Sequence, residues 1–206
     1  MKTPLRYQLS EYDCGPTALL DALGYLFERE EIPPEVIRNI MLYSLDCYGS
    51  DGVSGKSGTS PAAMMFLSSW LNGYGRIGQL AVTADYAAGG NVYLGGNGPV
   101  SDALRRGGAA VVRLYLDGWH YVLLTGEQEG AVRVFDPYYT AAPFADPSIR
   151  LVTDDPCRSN RLVPQALFNR EALETYALGP AAGREAVLLF NERTRLTAEK
   201  TIEYFI

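Results

Sequence analysis

The chain has 206 residues, an apolar fraction of 47% and a formal net charge of -6, which suits one globular domain over 1–206 with a packed core. It has no Lys/Arg stripe to match a phosphate backbone, which argues against a nucleic-acid partner. The opening MKTPLRYQLSEYDCG lacks the apolar run of a secretory signal, and no stretch approaches the ~18 apolar residues of a membrane span, so a cytoplasmic protein is expected. From Cys14 to about Phe27, the residues Ala18, Leu19, Ala22, Leu23, Leu26 and Phe27 recur on one helical face, with Gly15-Pro16-Thr17 suiting its start. Pro33-Pro34 opens a second helical pattern through Ile37, Ile40 and Met41, followed by the Gly/Ser-rich loop CYGSDGVSGKSGTSP. Further helices fit Pro61 to Leu71 and Ser101 to Arg106, on either side of a Gly-rich stretch around Gly89-Gly90 and Gly95-Gly96.

The β signal then takes over. AAVVRLYL and WHYVLLTG read as a hairpin around a two-residue Asp117-Gly118 turn, AVRVFD as a third strand and EAVLLFN as a fourth. Gln165 to Tyr176 reads as helical, and Tyr138 to Pro164, with Pro143, Pro147, Pro156 and Pro164, as a long excursion placed to cover a site. Helices first and antiparallel strands later predict an α+β fold.

Three cysteines, Cys14, Cys47 and Cys157, are widely separated and odd in number, which predicts free thiols. With a single histidine and no CxxC, no structural zinc set is available and no metal is expected. Gly52-Val53-Ser54-Gly55-Lys56-Ser57 superficially suggests a phosphate loop, but the glycine that motif needs at position 50 is Ser50 and no apolar strand precedes it. Cys14 is different from the other thiols because it sits where a helix begins, and the unpaired amides and dipole there stabilise a thiolate. Taken singly, a free cysteine is most often a small buried hydrophobe, a lone histidine structural, and an Asp before Pro a turn former. Together, Gln8, Cys14, His120 and Asp136 supply an oxyanion donor, a nucleophile, a base and an orienting acceptor.

The segment QLSEYDCGPTALLDAL resembles the Q-x4-D-C-G signature of the C39-type and C39-like peptidases, and WHYVLLTG followed by VRVFDP resembles their His and Asp strands. The resemblance implies a papain-like cysteine peptidase fold, an N-terminal helical part with Gln8 and Cys14 packed on a C-terminal antiparallel sheet with His120 and Asp136. It implies a cysteine hydrolase that cleaves a peptide or small amide through a Cys14 acyl-enzyme, with no organic cofactor. The segment after Asp136 is longer than in a minimal peptidase of this kind. A papain-like acyltransferase using the same intermediate, or a peptide-binding module without catalysis, are the alternatives. No oligomeric state is legible. If Gly126 to Gly130 forms a five-residue connection, Thr125 faces Ala131 and His120 stands directly across from Asp136, with Cβ atoms roughly 4.5–5.5 Å apart.

Overall fold

The computed structural model describes residues 1–197. Helix α1 (Cys14–Leu26) follows the expected apolar periodicity and stops at Phe27, whose backbone turns extended. Helix α2 (Pro34–Ser44) has proline in its first turn, where a missing N–H costs nothing. Helix α3 (Pro61–Arg76) runs a turn longer than its apolar pattern suggested, and the Ser60 hydroxyl caps it by accepting the Ala63 N–H at 3.1 Å. Helix α4 (Pro99–Arg105) completes the set before the main sheet strands.

The sheet has seven strands, all antiparallel, against the four legible in the sequence. These are β1 (Val82–Ala88), β2 (Ala109–Tyr115), β3 (Trp119–Gln128), β4 (Ala131–Phe135), β5 (Arg150–Leu151), β6 (Arg161–Pro164) and β7 (Glu185–Asn191), in the order β1-β7-β2-β3-β4-β6-β5. Strand β1 is rich in Ala and carries Asp85, so its propensity is poor; pairing with β7 along its whole length makes it a strand. The excursion after Asp136 contributes β5 and β6, which extend the sheet beyond β4.

Both faces of the sheet are covered. Ala18, Leu19, Leu23, Met64, Leu67 and Leu71 from α1 and α3 pack on Val111, Tyr121, Leu123 and Phe135. On the other face, Val100 and Leu104 of α4 with Leu167, Phe168 and Tyr176 pack on Val112, Val122, Leu124, Val132 and Val134. Burial on two sides explains why the five residues between Glu185 and Asn191 in β7 are apolar without alternation and why the strand is buried at every position. Each of these large side chains contributes about 1.5–3 kcal/mol when fully buried.

The predicted helix from Gln165 to Tyr176 ends early, as α5 (Gln165–Phe168). Tertiary contacts override local preference there: the Asn169 side chain pairs with both backbone groups of Leu94, and Tyr176 adopts a left-handed φ of 63°. The β2–β3 connection is also corrected, since Tyr115 pairs with Trp119 and the loop is therefore the three residues 116–118. Gly52 to Ser57 lies in an exposed loop where Lys56 pairs with Asp51 at 2.8 Å.

Candidate active site

Cys14 is the first residue of α1 and is 8% exposed. The preceding residue, Asp13, does not cap the helix with its side chain. Its carboxylate turns back instead to accept the Leu9 N–H at 3.0 Å and both the N–H and hydroxyl of Ser10 at 2.6 Å. Burial alone would raise the Asp13 carboxyl, but these hydrogen bonds outweigh it and hold the pKa below its usual value. The closed loop this forms leaves the Cys14 and Gly15 N–H groups with no protein acceptor among the described residues, so the thiol sits at a helix start with free donors. Gly15 is fixed by crowding: a Cβ there would stand 2.4 Å from Thr59 Oγ1 and 2.8 Å from Thr59 Cβ.

His120 is the second residue of β3, and Asp136 directly follows β4. Their side chains meet, with Nε2 of His120 2.8 Å from Oδ1 of Asp136. The register that brings them together differs from the expected one. Strand β3 runs on to Gln128 and turns through only Glu129 and Gly130, both with positive φ, as a tight hairpin requires. Gln128 therefore faces Ala131, and this ladder, continued unbroken, would put Asp136 opposite Leu123, on the sheet face that His120 does not share.

A bulge corrects the parity. Thr125 is an extra residue between the Gly126–Arg133 and Leu124–Val134 pairs. Beyond it Asp136 aligns with Val122, and His120 becomes its diagonal neighbour on the same face rather than its direct partner. Polar anchors hold the bulge: the Thr125 carbonyl accepts from the Tyr25 hydroxyl of α1 at 3.0 Å, and the Thr125 hydroxyl donates to the Arg158 carbonyl at 3.0 Å.

Asp136 is 1% exposed and fully engaged. Oδ1 also accepts the Tyr138 N–H at 2.9 Å, and Oδ2 accepts the hydroxyl of Tyr176 at 2.8 Å. Asn160 clamps the Asp136 backbone from both sides, accepting its N–H at 2.8 Å and donating to its carbonyl at 2.7 Å. Burial acts to lower the His120 pKa, but hydrogen bonds and charge from Asp136 and the Cys14 sulfur outweigh it, and the imidazole is pushed up to about 9. Nε2 is taken by Asp136, which leaves Nδ1 as the ring nitrogen for Cys14.

Gln8 reaches the site on the N-terminal strap, where its N–H donates to the Pro137 carbonyl at 2.9 Å. One N–H of its side-chain amide is given to the Ser10 carbonyl at 2.7 Å, and its Oε1 is buried without a partner. A second amide hydrogen stays available. Gln8, His120 and Asp136 line one cleft of about 490 Å³ together with Glu11, Asp117, Trp119, Tyr138 and Phe144. All four residues singled out in the sequence are thus gathered at the junction of α1 and the sheet. Asn160 and Tyr176 were not anticipated, the first because it lies in an aperiodic segment and the second because it falls in a stretch that reads as helix. Asp13 was visible in the signature but without a role. Cys47 and Cys157 are free thiols outside this cluster.

Among the described residues, no group of three or more Cys, His, Asp or Glu side chains is placed to hold a metal ion, and no helix is long and apolar enough to cross a membrane. No protein-family model matches the chain, and no curated protein matches it.

Proposed function

We propose that the chain is a papain-like cysteine hydrolase, similar to the C39-type peptidases, that cleaves a peptide or amide bond through a Cys14 acyl-enzyme. The observation that carries this reading is the relay from the Cys14 sulfur to His120 and on to the buried Asp136 carboxylate at 2.8 Å. A positively charged imidazole beside a thiol at a helix start favours the thiolate, which is the nucleophilic form.

In this reaction the thiolate attacks the carbonyl carbon, and the oxyanion is met by the Cys14 N–H and the free amide hydrogen of Gln8. His120 then gives its proton to the departing amine, and the thioester remains on Cys14. Water, deprotonated by the now neutral imidazole, attacks the thioester; the acid product leaves and the thiolate returns. Asp136 keeps the ring oriented and its positive charge compensated throughout.

The test is a cysteine-directed electrophilic activity probe, with the labelled peptide identified by mass spectrometry. Cys14 is expected to be labelled selectively, and Cys14→Ala to abolish both labelling and hydrolysis. Biological activity that survives Cys14→Ala would instead mark a binding module.

A further inference from the structure

The cleft beside the relay lies on one side of the thiol. Its lining includes His120, Asp136 and Gln8 but not Cys14. In the acyl-enzyme reading, on which this inference rests, the carbonyl carbon must come to the sulfur and the departing nitrogen to the imidazole that protonates it. Whatever the nitrogen carries then extends past His120 into the cleft.

Outside the His120–Asp136 pair, the charge there has one sign. No Lys or Arg lines the cleft, and of its three carboxylates Asp136 is spent on His120 and Tyr176. Glu11 and Asp117 are exposed and enter no ion pair or side-chain hydrogen bond among the described residues. They come from separate elements, Glu11 from the loop that Asp13 closes and Asp117 from the β2–β3 turn, where its φ of 55° fixes the backbone. Of the arginines behind the wall, Arg113 pairs with Glu185 at 3.0 Å, while Arg161, 2% exposed, donates to the Asn160 and Tyr138 carbonyls and has no carboxylate partner among the described residues; neither reaches the lining. Tyr138, 44% exposed, adds aromatic surface to the same lining that suits a cation, whereas the Trp119 ring already carries the Arg113 guanidinium 4.7 Å from its centroid.

We propose that this cleft receives the leaving-group side of the substrate and selects a positively charged one, a segment bearing Lys, Arg or a free amine, with Glu11 and Asp117 as the specificity-determining residues. A concave site with two like charges focuses its field and enriches counter-charged ligands, by about tenfold or more at low salt.

The test reads the field at the thiol with three methanethiosulfonates that lose the same methanesulfinate and leave different tails on the Cys14 sulfur, trimethylammonioethyl, methyl and sulfonatoethyl, and reads the leaving-group side by peptide cleavage. Modification of Cys14 is timed by mass spectrometry, and each rate is divided by that of a small free thiol. The cationic reagent is expected to exceed the anionic one by about tenfold, a ratio that falls towards one at high salt and in Glu11→Gln/Asp117→Asn. Cleavage of a randomised peptide mixture should likewise leave new amino termini enriched in Lys or Arg just after the cut. A wild-type ratio near one, a ratio the double variant leaves unmoved, or cuts without basic enrichment would overturn the proposal. The two readings fail separately. A neutral reagent that modifies Cys14 no faster than Cys47 sinks the acyl-enzyme reading, whereas fast neutral modification without charge preference sinks only the assignment of the cleft.

Discussion

His120 keeps its proton because two acceptors face one buried ring. With the imidazole pushed up to about 9, the sulfur beside it is paired with a cation over most of the working pH range. Alkylation of Cys14 should therefore show an upper step near pH 9, when the imidazolium loses its proton and no longer pairs with the sulfur. Cys47 should lag, because burial, then the charge and hydrogen bond of Asp46, push its thiol up. Asp136→Asn removes the negative charge that helps to raise His120, so the upper step should move to lower pH; a single step shared by all three thiols would count against the relay. Tyr176 acts one shell further out. Its phenol is held well above its ordinary pKa by burial and by Asp136, so it remains a donor. Tyr176→Phe leaves Asp136 Oδ2 buried and unpaired, at a cost of about 1–3 kcal/mol. Because the carboxylate then holds the imidazolium proton more tightly, the upper step should also move to higher pH, a change that a purely structural tyrosine would not produce. The sequence displayed the members of this relay by order and residue type, but Tyr176 and Asn160 act through tertiary hydrogen bonds that leave no periodic trace.

Elements were legible where their own sequence sufficed. The face of α1 and the strands β2, β3 and β7 followed from apolar spacing, whereas β1 exists through its pairing with β7 and β6 through its pairing with β4. The bulge at Thr125 is the instructive failure: a turn was readable between Gly126 and Gly130, but its two-residue length and a one-residue insertion held by Tyr25 and Arg158 are invisible in a linear pattern. The expectation that His120 and Asp136 share a face held all the same, since the shorter turn and the extra residue together preserve the parity. At the start of α1 the close packing of Gly15 on Thr59 makes a definite claim. Gly15→Ala gains helix propensity worth ~1 kcal/mol, yet its methyl must fit 2.4 Å from Thr59 Oγ1. Overpacking of this kind costs about 1–3 kcal/mol, so we expect a net loss of thermal stability and slower Cys14 alkylation as the helix start shifts. Gly15→Ala/Thr59→Gly removes both clashing atoms and should recover the alkylation rate; failure to recover would show that the glycine serves some other need.

On the scale of the whole molecule, the site depends on three pieces meeting: α1, the β3–β4 pair and the N-terminal strap that carries Gln8. The strap is held by backbone bonds from Leu5 to the Pro156 carbonyl and from Gln8 to the Pro137 carbonyl, and by the Arg6 N–H given to Asp21 Oδ1 at 2.9 Å. Asp21 is 3% exposed on the inner side of α1, and its Oδ2 has no partner. Burial raises its pKa from 3.8 to about 7, with the Arg6 N–H bond and the Arg6 charge opposing the shift. The folded chain therefore binds this proton more tightly than the unfolded chain does. Its contribution to stability is complete below the unfolded value near 4, declines as pH rises, and is lost by the time pH passes the folded value near 7. Asn at this position keeps the acceptor for Arg6 but has no charge to bury. Asp21→Asn should thus melt together with wild type near pH 4 and several degrees above it at pH 8, a difference on the order of a few kcal/mol. The loss of the His120 proton near pH 9 is common to both proteins and cancels in the comparison. Thermal melts of the pair across pH 4 to 9 decide the matter: parallel curves, or a variant less stable at pH 8, would mean that Asp21 is ionised in the folded chain at little cost and that the strap is held by its charge rather than in spite of it.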